Sequence, residues 1–209
     1  MRILLLGPPG SGKGTQAQRL AAMTGARHIS TGDLVRAEIE AGTELGRRIK
    51  DYNDRGELVP DEMILGLVRP YLTTGSWILD GFPRDEAQAR ALDVMLNELG
   101  VDLDRVVMLV APDDALITRL LGRVQSVATG KTYHVTYDPP PADDPGPFVR
   151  RADDTPEDVR RRLEIYHAQT EPLQAYYAGR GLLTQVDARG PIDALTEAIL
   201  RALGESTHG

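Results

Sequence analysis

Cysteine is absent from the 209 residues. That excludes disulfides, a thiolate metal site and a thiol nucleophile. Lysine is almost as scarce: Lys13, Lys50 and Lys131 stand against 21 arginines, an excess that reads first as compositional background. Long apolar runs are also missing. Met1 and Arg2 lead into Ile3-Leu4-Leu5-Leu6, which Gly7-Pro8-Pro9-Gly10 stops, far short of the ~18 apolar residues of a membrane span. No span, signal or transit peptide is expected, and the expected compartment is the cytoplasm. Positive charge is in deficit too, with 24 basic against 31 acidic residues and a net charge of −7. Nothing long-range would draw such a chain to a polyanion, which argues against a nucleic-acid coat or a basic membrane-surface protein. A small local basic site remains compatible with that balance.

What is present is ordinary globular composition, 41% hydrophobic and 26% charged, at a length suited to one domain with small insertions. Short apolar runs at Arg2–Leu6, Trp77–Leu79, Arg105–Val110 and Leu182–Val186, with a weaker one at Arg27–Ile29, predict strands of a parallel sheet. Helical patterns lie between most of them: Lys13–Met23, Asp33–Ala41, Glu44–Arg55, Asp61–Leu72, Asp85–Leu99, Asp113–Leu121, Pro156–Ala178 and Ile192–Leu203. The alternation predicts an α/β fold, a doubly wound parallel five-stranded sheet, with ligands at the carboxyl ends of its strands.

Two stretches break the alternation. Residues 30 to 59 read as an inserted helical arm. Within residues 122 to 154, Thr132–Tyr137 alternates like a small strand, and five of the 14 prolines then fall in nine positions from Pro139 to Pro147. That segment cannot be helix or central strand. A long irregular insertion of this kind is typical of an active-site lid.

Gly7-Pro8-Pro9-Gly10-Ser11-Gly12-Lys13-Gly14-Thr15 follows a predicted strand and opens a predicted helix. Glycines let successive backbone N–H groups turn inward on a phosphate, the helix N-terminus adds positive potential, and Lys13 can reach the outer phosphates. The strict motif has Ser or Thr directly after the Lys; here Gly14 intervenes before Thr15. In Trp77-Ile78-Leu79-Asp80-Gly81-Phe82-Pro83-Arg84, a second strand ends in a carboxylate that can hold Mg²⁺ or its waters. Asp33 is another carboxylate candidate, or equally a helix N-cap, and Asp113 reads as a cap. Phosphoryl transfer needs positive charge around the moving group, and arginine forks supply it bidentately. The candidates are Arg36, Arg84, Arg119, Arg123, Arg151 and Arg162. Arg119 and Arg123, four apart, are expected on one helix face. Arg160, Arg161 and Arg162 cannot all face one way.

Taken together, the motifs resemble the adenylate kinase family of nucleoside monophosphate kinases, from residue 1 to about 203. The resemblance rests on Gly7–Thr15, Ile29–Arg36, Gly56–Glu62, Leu79–Arg84 with Gln88, Arg119, Gly122-Arg123, Tyr133-His134, Arg151 with Arg162, and Val186-Asp187. It implies Mg²⁺-dependent transfer, ATP + AMP to two ADP. The implied layout is a core (1–29, 60–121 and 155–209), a monophosphate-binding arm (30–59) and a lid (122–154). For the donor it implies Gly10, Ser11, Gly12, Lys13, Gly14 and Thr15 around the phosphates, Arg119 on the base, Arg123, Thr132 and Tyr133 on the lid side, and Gly190. For the acceptor it implies Thr31, Arg36, Glu57, Leu58, Val59, Gly81, Phe82, Pro83, Arg84 and Gln88. Arg151 and Arg162 would clamp the transferring region. Lys13, Arg84, Arg123, Arg151 and Arg162 would carry catalysis, with Asp80 and Asp33 on the Mg²⁺ side.

Zinc-bearing members of that family use four Cys, or a mixture of Cys, His and Asp, in the lid. Here Ser126 and Thr129 stand near the first pair, so no zinc is expected. Partners are expected to be the nucleotides ATP, AMP and ADP, with no nucleic acid or membrane, and the chain to be a monomer. A GTP-dependent AMP kinase or a UMP/CMP kinase keeps the chemistry and changes the base; the long lid speaks against the pyrimidine enzymes. A nucleotide-dependent switch has no need of a second phosphate-binding cluster.

Overall fold

The computed structural model describes residues 1–54 and 59–204. Its centre is a five-stranded parallel sheet of β1 (Arg2–Leu6), β2 (Arg27–Ser30), β3 (Trp77–Asp80), β4 (Arg105–Val110) and β8 (Leu183–Asp187), ordered β2-β3-β1-β4-β8. Alternate residues explain why these strands are almost wholly apolar. Leu4 and Leu6 of β1, with Val106 and Met108 of β4, enter one core with Trp77, Leu92 and Tyr177. Ile3 and Leu5, with Val107 and Leu109, enter the other with Leu20, Leu195 and Ile199. Both faces are covered by helices, so both must be hydrophobic.

The helices are α1 (Lys13–Thr24), α2 (Thr31–Glu40), α3 (Glu44–Asp54), α4 (Asp61–Leu72), α5 (Glu86–Glu98), α6 (Asp113–Leu121), α7 (Pro156–Ile165), α8 (Leu173–Ala178) and α9 (Ile192–Ala202). The single helix expected over Pro156–Ala178 is two. A wide π turn at Tyr166–Thr170 separates them, and Pro172 stands at the N-cap of α8, where a ring without an N–H breaks the preceding ladder.

A second, antiparallel sheet, ordered β6-β5-β7, combines β5 (Arg123–Ser126), β6 (Thr132–His134) and β7 (Phe148–Val149). The alternation over Thr132–Tyr137 predicts a longer strand than the one that forms: Val135–Tyr137 turn back, and His134 bridges Asp138. β5 and β7 are not visible as sequence patterns. Arg119 and Arg123 do not share a helix face either. α6 ends at Gly122, where a Cβ would fall 2.2 Å from His134 Nε2, so Arg123 begins β5 instead. Among the described residues no helix is long and apolar enough to cross a membrane.

Candidate active site

The turn from β1 to α1 sits at the carboxyl edge of the sheet, beside the point where strand order reverses between β1 and β4. Gly10 has φ +83, and a Cβ there would lie 2.8 Å from Leu116 O, so the loop can lie against α6 only as glycine. Lys13 curls under the loop, its Nζ donating to Gly7 O at 2.8 Å and Pro8 O at 2.9 Å. Desolvation at the cleft floor pushes its pKa down to about 8; Asp80 pulls against this, while Arg84, Arg162 and Arg123 reinforce it. Ser11 Oγ is buried on the same loop without a hydrogen-bond partner.

Register brings Asp80 beside this loop, opposite Leu5 of β1 on one side and Ser30 of β2 on the other. The next residue, Gly81, has φ +85, and a Cβ there would meet Thr31 Oγ1 at 2.8 Å; the tight turn keeps Asp80 at the cleft floor. The Asp80 carboxylate is nearly buried, with His28 Nε2 3.7 Å away and itself without a hydrogen-bond partner. A hard oxygen donor beside an orphaned imidazole nitrogen fits a hydrated divalent cation, which offers water to both. Among the described residues no three His, Asp or Glu side chains converge into a ready-made metal cage.

A cleft of about 1310 Å³ opens above these residues. Arg36, Arg84, Arg119, Arg123, Arg151 and Arg162 all line it, together with Lys13 and Asp80. Several of these cations are aimed by their neighbours. Arg36 pairs with Asp33; Arg84 Nε donates to Gly81 O at 3.2 Å; Arg119 Nη2 donates to Arg189 O at 3.3 Å. Arg151 Nε is buried and unpartnered, and its pKa is lowered by desolvation and by the charges of Arg123 and Arg36. So much positive charge around one cavity favours the entry of an anion.

A family model described as adenylate kinase matches residues 5–182. The chain belongs to the adenylate kinase family. The adenylate kinase of Streptomyces griseus is 45% identical over 219 residues, covering 100% of both chains. That of Thermodesulfovibrio yellowstonii is 47% identical over 212 residues, 97% of this chain and 99% of its own. That of Acidothermus cellulolyticus is 47% identical over 212 residues, 97% of this chain and 98% of its own. Adenylate kinases are nucleoside monophosphate kinases, so this chain is a member of a phosphotransferase family.

Of the residues expected to bind nucleotide in this adenylate kinase family member, Gly10, Ser11, Gly12, Gly14, Thr15, Thr132, Tyr133, Gly190, Gly81 and Pro83 also line the cleft. Thr31, Phe82 and Gln88 are not among the residues that line it. Thr31 is buried and donates to Asp80 O at 3.2 Å; Phe82 is in the core. Gln88 accepts from Arg84 N–H at 2.8 Å and donates to Asp61 Oδ1 at 2.8 Å. Val59 is described but does not line the cleft; Glu57 and Leu58 fall outside the described residues. Asp33 is not the N-cap of α2. That is Ser30, whose hydroxyl accepts from Asp33 N–H, leaving the Asp33 carboxylate to Arg36. Burial raises its pKa, but the Arg36 hydrogen bond and charge outweigh that and hold it low. Asp113 does not cap α6 either; Pro112 precedes it, and its carboxylate takes His167 Nε2 at 3.0 Å. Arg162 faces the cleft, while Arg161 is exposed and pairs with Asp158.

Sequence reasoning missed Asp153 and Asp154, which hold Arg162 and Arg123; the pair follows Arg151 after a single alanine and carries no pattern that marks it. It also missed the hub of the small sheet. Asp144 accepts from Ser126 Oγ at 2.6 Å, Thr129 Oγ1 at 2.9 Å, Tyr133 Oη at 2.8 Å and Gly146 N–H at 3.0 Å.

Proposed function

We propose that this chain catalyses reversible, Mg²⁺-dependent transfer of a phosphoryl group between ATP and AMP, yielding two ADP and balancing the adenine nucleotide pool. The carrying observation is one cleft lined by Lys13 together with Arg36, Arg84, Arg119, Arg123, Arg151 and Arg162, from three parts of the chain. In this reading residues 1–29, 60–121 and 155–209 are the core, 30–59 the monophosphate-binding arm and 122–154 the lid.

A single phosphate site needs one cradle and one lysine. Six further cations spread from Arg36 to Arg162 suit two phosphate groups meeting end to end, the arrangement direct in-line transfer requires. The backbone N–H groups of Gly10–Thr15 and Lys13 would hold the donor phosphates. Arg119, beside Arg189 and Gly190, would flank the donor base, with Arg123, Thr132 and Tyr133 on the lid side. Arg36, Arg84 and the Gly81–Pro83 turn would receive the acceptor phosphate, with Thr31, Phe82, Gln88 and the 57–59 stretch shaping its pocket. Arg84, Arg123, Arg151 and Arg162 would meet the charge that spreads over the transferring oxygens, fixed dipoles and charges being most effective in a site emptied of water. Excluding water also spares ATP from hydrolysis, which is the work of the lid. Asp80 would hold Mg²⁺ through its water, with Asp33 close to the same cleft; the ion supplies neutralisation of phosphoryl oxygens when bound.

The test supplies ATP or GTP with each of AMP, GMP, CMP and UMP and follows diphosphate formation. Turnover of AMP with ATP is the expected result. No turnover of AMP with either donor overturns the proposal, and preference for GTP or a pyrimidine acceptor redirects it.

A further inference from the structure

Gln16 places an amide on a helix face that packing alone would make apolar. The inward face of α1 carries Gln16, Ala17 and Leu20, and Ala17 and Leu20 join the core that holds Leu195 and Ile199 of α9. Gln16 is only 1% exposed, where an aliphatic side chain would pack without the cost of desolvating an amide. Both ends of that amide are engaged. Nε2 donates to Ile192 O at 3.0 Å, and Oε1 accepts from Thr196 Oγ1, itself buried, at 2.8 Å. Ile192 O can only accept, so the amide nitrogen must face it and the amide oxygen is left to the hydroxyl.

This contact joins the two halves of the donor site. Gln16 directly follows Thr15 of the phosphate loop, and its own N–H donates to Gly12 O at 2.9 Å. Ile192 ends a stretch, with Arg189, Gly190 and Pro191, that lines the cleft beside Arg119. That stretch leaves β8 at Ala188, whose N–H is pinned to Val110 O at 2.8 Å. It enters α9 through Pro191, with no side chain capping the helix. Gln16 supplies the anchor at that second end.

We propose that Gln16 is a positioning residue for the donor nucleotide, fixing the spacing between the cradle for its phosphates and the 189–192 stretch that flanks its base. The proposal rests on the ATP–AMP reading above for which nucleotide is the donor. A spacing set before binding lets one ligand meet both subsites without reordering the chain between them. Gln16 acts through the backbone it holds. Arg19 and Asp193 also join α1 to α9, but the Asp193 side chain is 82% exposed, and that pair is the internal contrast.

The experiment measures the affinity for Mg²⁺–ATP and for inorganic tripolyphosphate, which has the phosphates and no base, together with kcat and both KM values. The variants are Gln16→Met, Thr196→Val, Thr196→Ser and Asp193→Asn. Gln16→Met keeps the length and loses both hydrogen bonds, so ATP binding and the KM for ATP are expected to weaken about tenfold. Tripolyphosphate binding and the KM for AMP are expected to stay within about twofold, since neither ligand spans the tie. Thr196→Val is expected to weaken ATP about threefold and Thr196→Ser, which keeps the hydroxyl, to restore it. Asp193→Asn is expected to stay within about twofold of wild type, as an exposed pair should. Wild-type ATP affinity in Gln16→Met overturns the inference. Equal weakening of ATP and tripolyphosphate overturns it too, because a merely structural role would damage the cradle as much as the spacing. If Gln16→Met does not fold, the Thr196 pair carries the same readout, and equal ATP affinity in Thr196→Val and Thr196→Ser overturns the inference. If wild type binds ATP but does not turn over AMP, the reaction reading fails while the ratio of ATP to tripolyphosphate affinity still judges the tie. A ratio indifferent to residue 16 sinks the inference alone.

Discussion

The two sheets of this protein are held together by different forces. The five-stranded parallel sheet lies between two apolar layers, with Ile3, Leu4 and Leu5 wholly buried, and its cohesion is hydrophobic at about 25 cal/mol per Å² of apolar area removed from water. In the antiparallel sheet, Phe148 and Val149 remain 40% and 47% exposed, and the strands are gathered by hydrogen bonds converging on Asp144. The first carries the phosphate loop; the second carries Arg123, Thr132 and Tyr133. The floor of the cleft is thus fixed by burial and its roof by polar contacts. Two energy scales meet over one site, and the weaker is where the fold can move at small cost.

Lys13→Met gives the largest contrast. It removes charge from the floor without touching either core, so kcat is expected to fall about 10²–10³-fold, with a thermal midpoint within about 4 °C of wild type. A large stability loss with intact turnover would break the division between the chemistry of the floor and its cohesion.

Asp144→Ala comes next and acts in the reverse sense. It strands the hydroxyls of Ser126, Thr129 and Tyr133 together, so amide exchange within residues 123–149 is expected to quicken about tenfold or more while β1 and β4 amides stay protected. Equal loss of protection in both sheets would show them to be one cooperative unit. The same hub predicts acid behaviour. Hydrogen bonding, first from Ser126, holds the Asp144 carboxyl well below its ordinary value of 3.8. A depressed acid contributes its stability above the unfolded-state value and loses it only as pH falls through the native one. Exchange in residues 123–149 is therefore expected to stay slow as pH drops through 4; a sharp rise there contradicts the hub.

The smallest effect belongs to the joint between the π turn and α6, outside both sheets. His167 Nδ1 meets Glu171 at 2.8 Å and Nε2 meets Asp113 at 3.0 Å, with the Tyr166 ring 5.5 Å away. Its pKa is raised, the Glu171 hydrogen bond being the largest cause. A raised base contributes fully below the unfolded value of about 6.5 and loses that as pH rises through the native one. The pairs are largely exposed, so His167→Asn is expected to cost about 1 kcal/mol or less at pH 5.5 and nothing measurable at pH 9. An equal cost at both pH values would mean that packing, not charge, holds the joint.

The same contrast governs what the sequence discloses. A sheet covered on both faces writes itself as unbroken apolar runs, so Arg2–Leu6 and Arg105–Val110 could be read directly, and the phosphate loop followed from the glycines between strand and helix. The small sheet leaves no such trace. Its strands are two to four residues long, half exposed, and paired through Asp144, a residue 18 positions from Ser126. Long-range polar pairing has no period to detect. The helical reading failed at two points: Pro172 split the helix expected from Pro156, and Arg123, expected on a helix face with Arg119, lies past the end of α6 in β5. The site's positive residues could be named because phosphate chemistry demands them. The carboxylates that orient them could not, since Asp153 and Asp154 look like any acidic turn before a capped helix.

The π turn at Tyr166–Thr170 has a dimensional consequence. Thr170 Oγ1 donates to Arg84 O at 2.7 Å, and three residues earlier His167 reaches Asp113 at the first turn of α6. One five-residue segment thereby spans from the loop after β3 to the helix after β4. The two sides of the cleft floor are set apart by a gauge belonging to the chain itself. The spacing between the loop after β3 and the helix after β4 is therefore held by side-chain contacts of the chain itself.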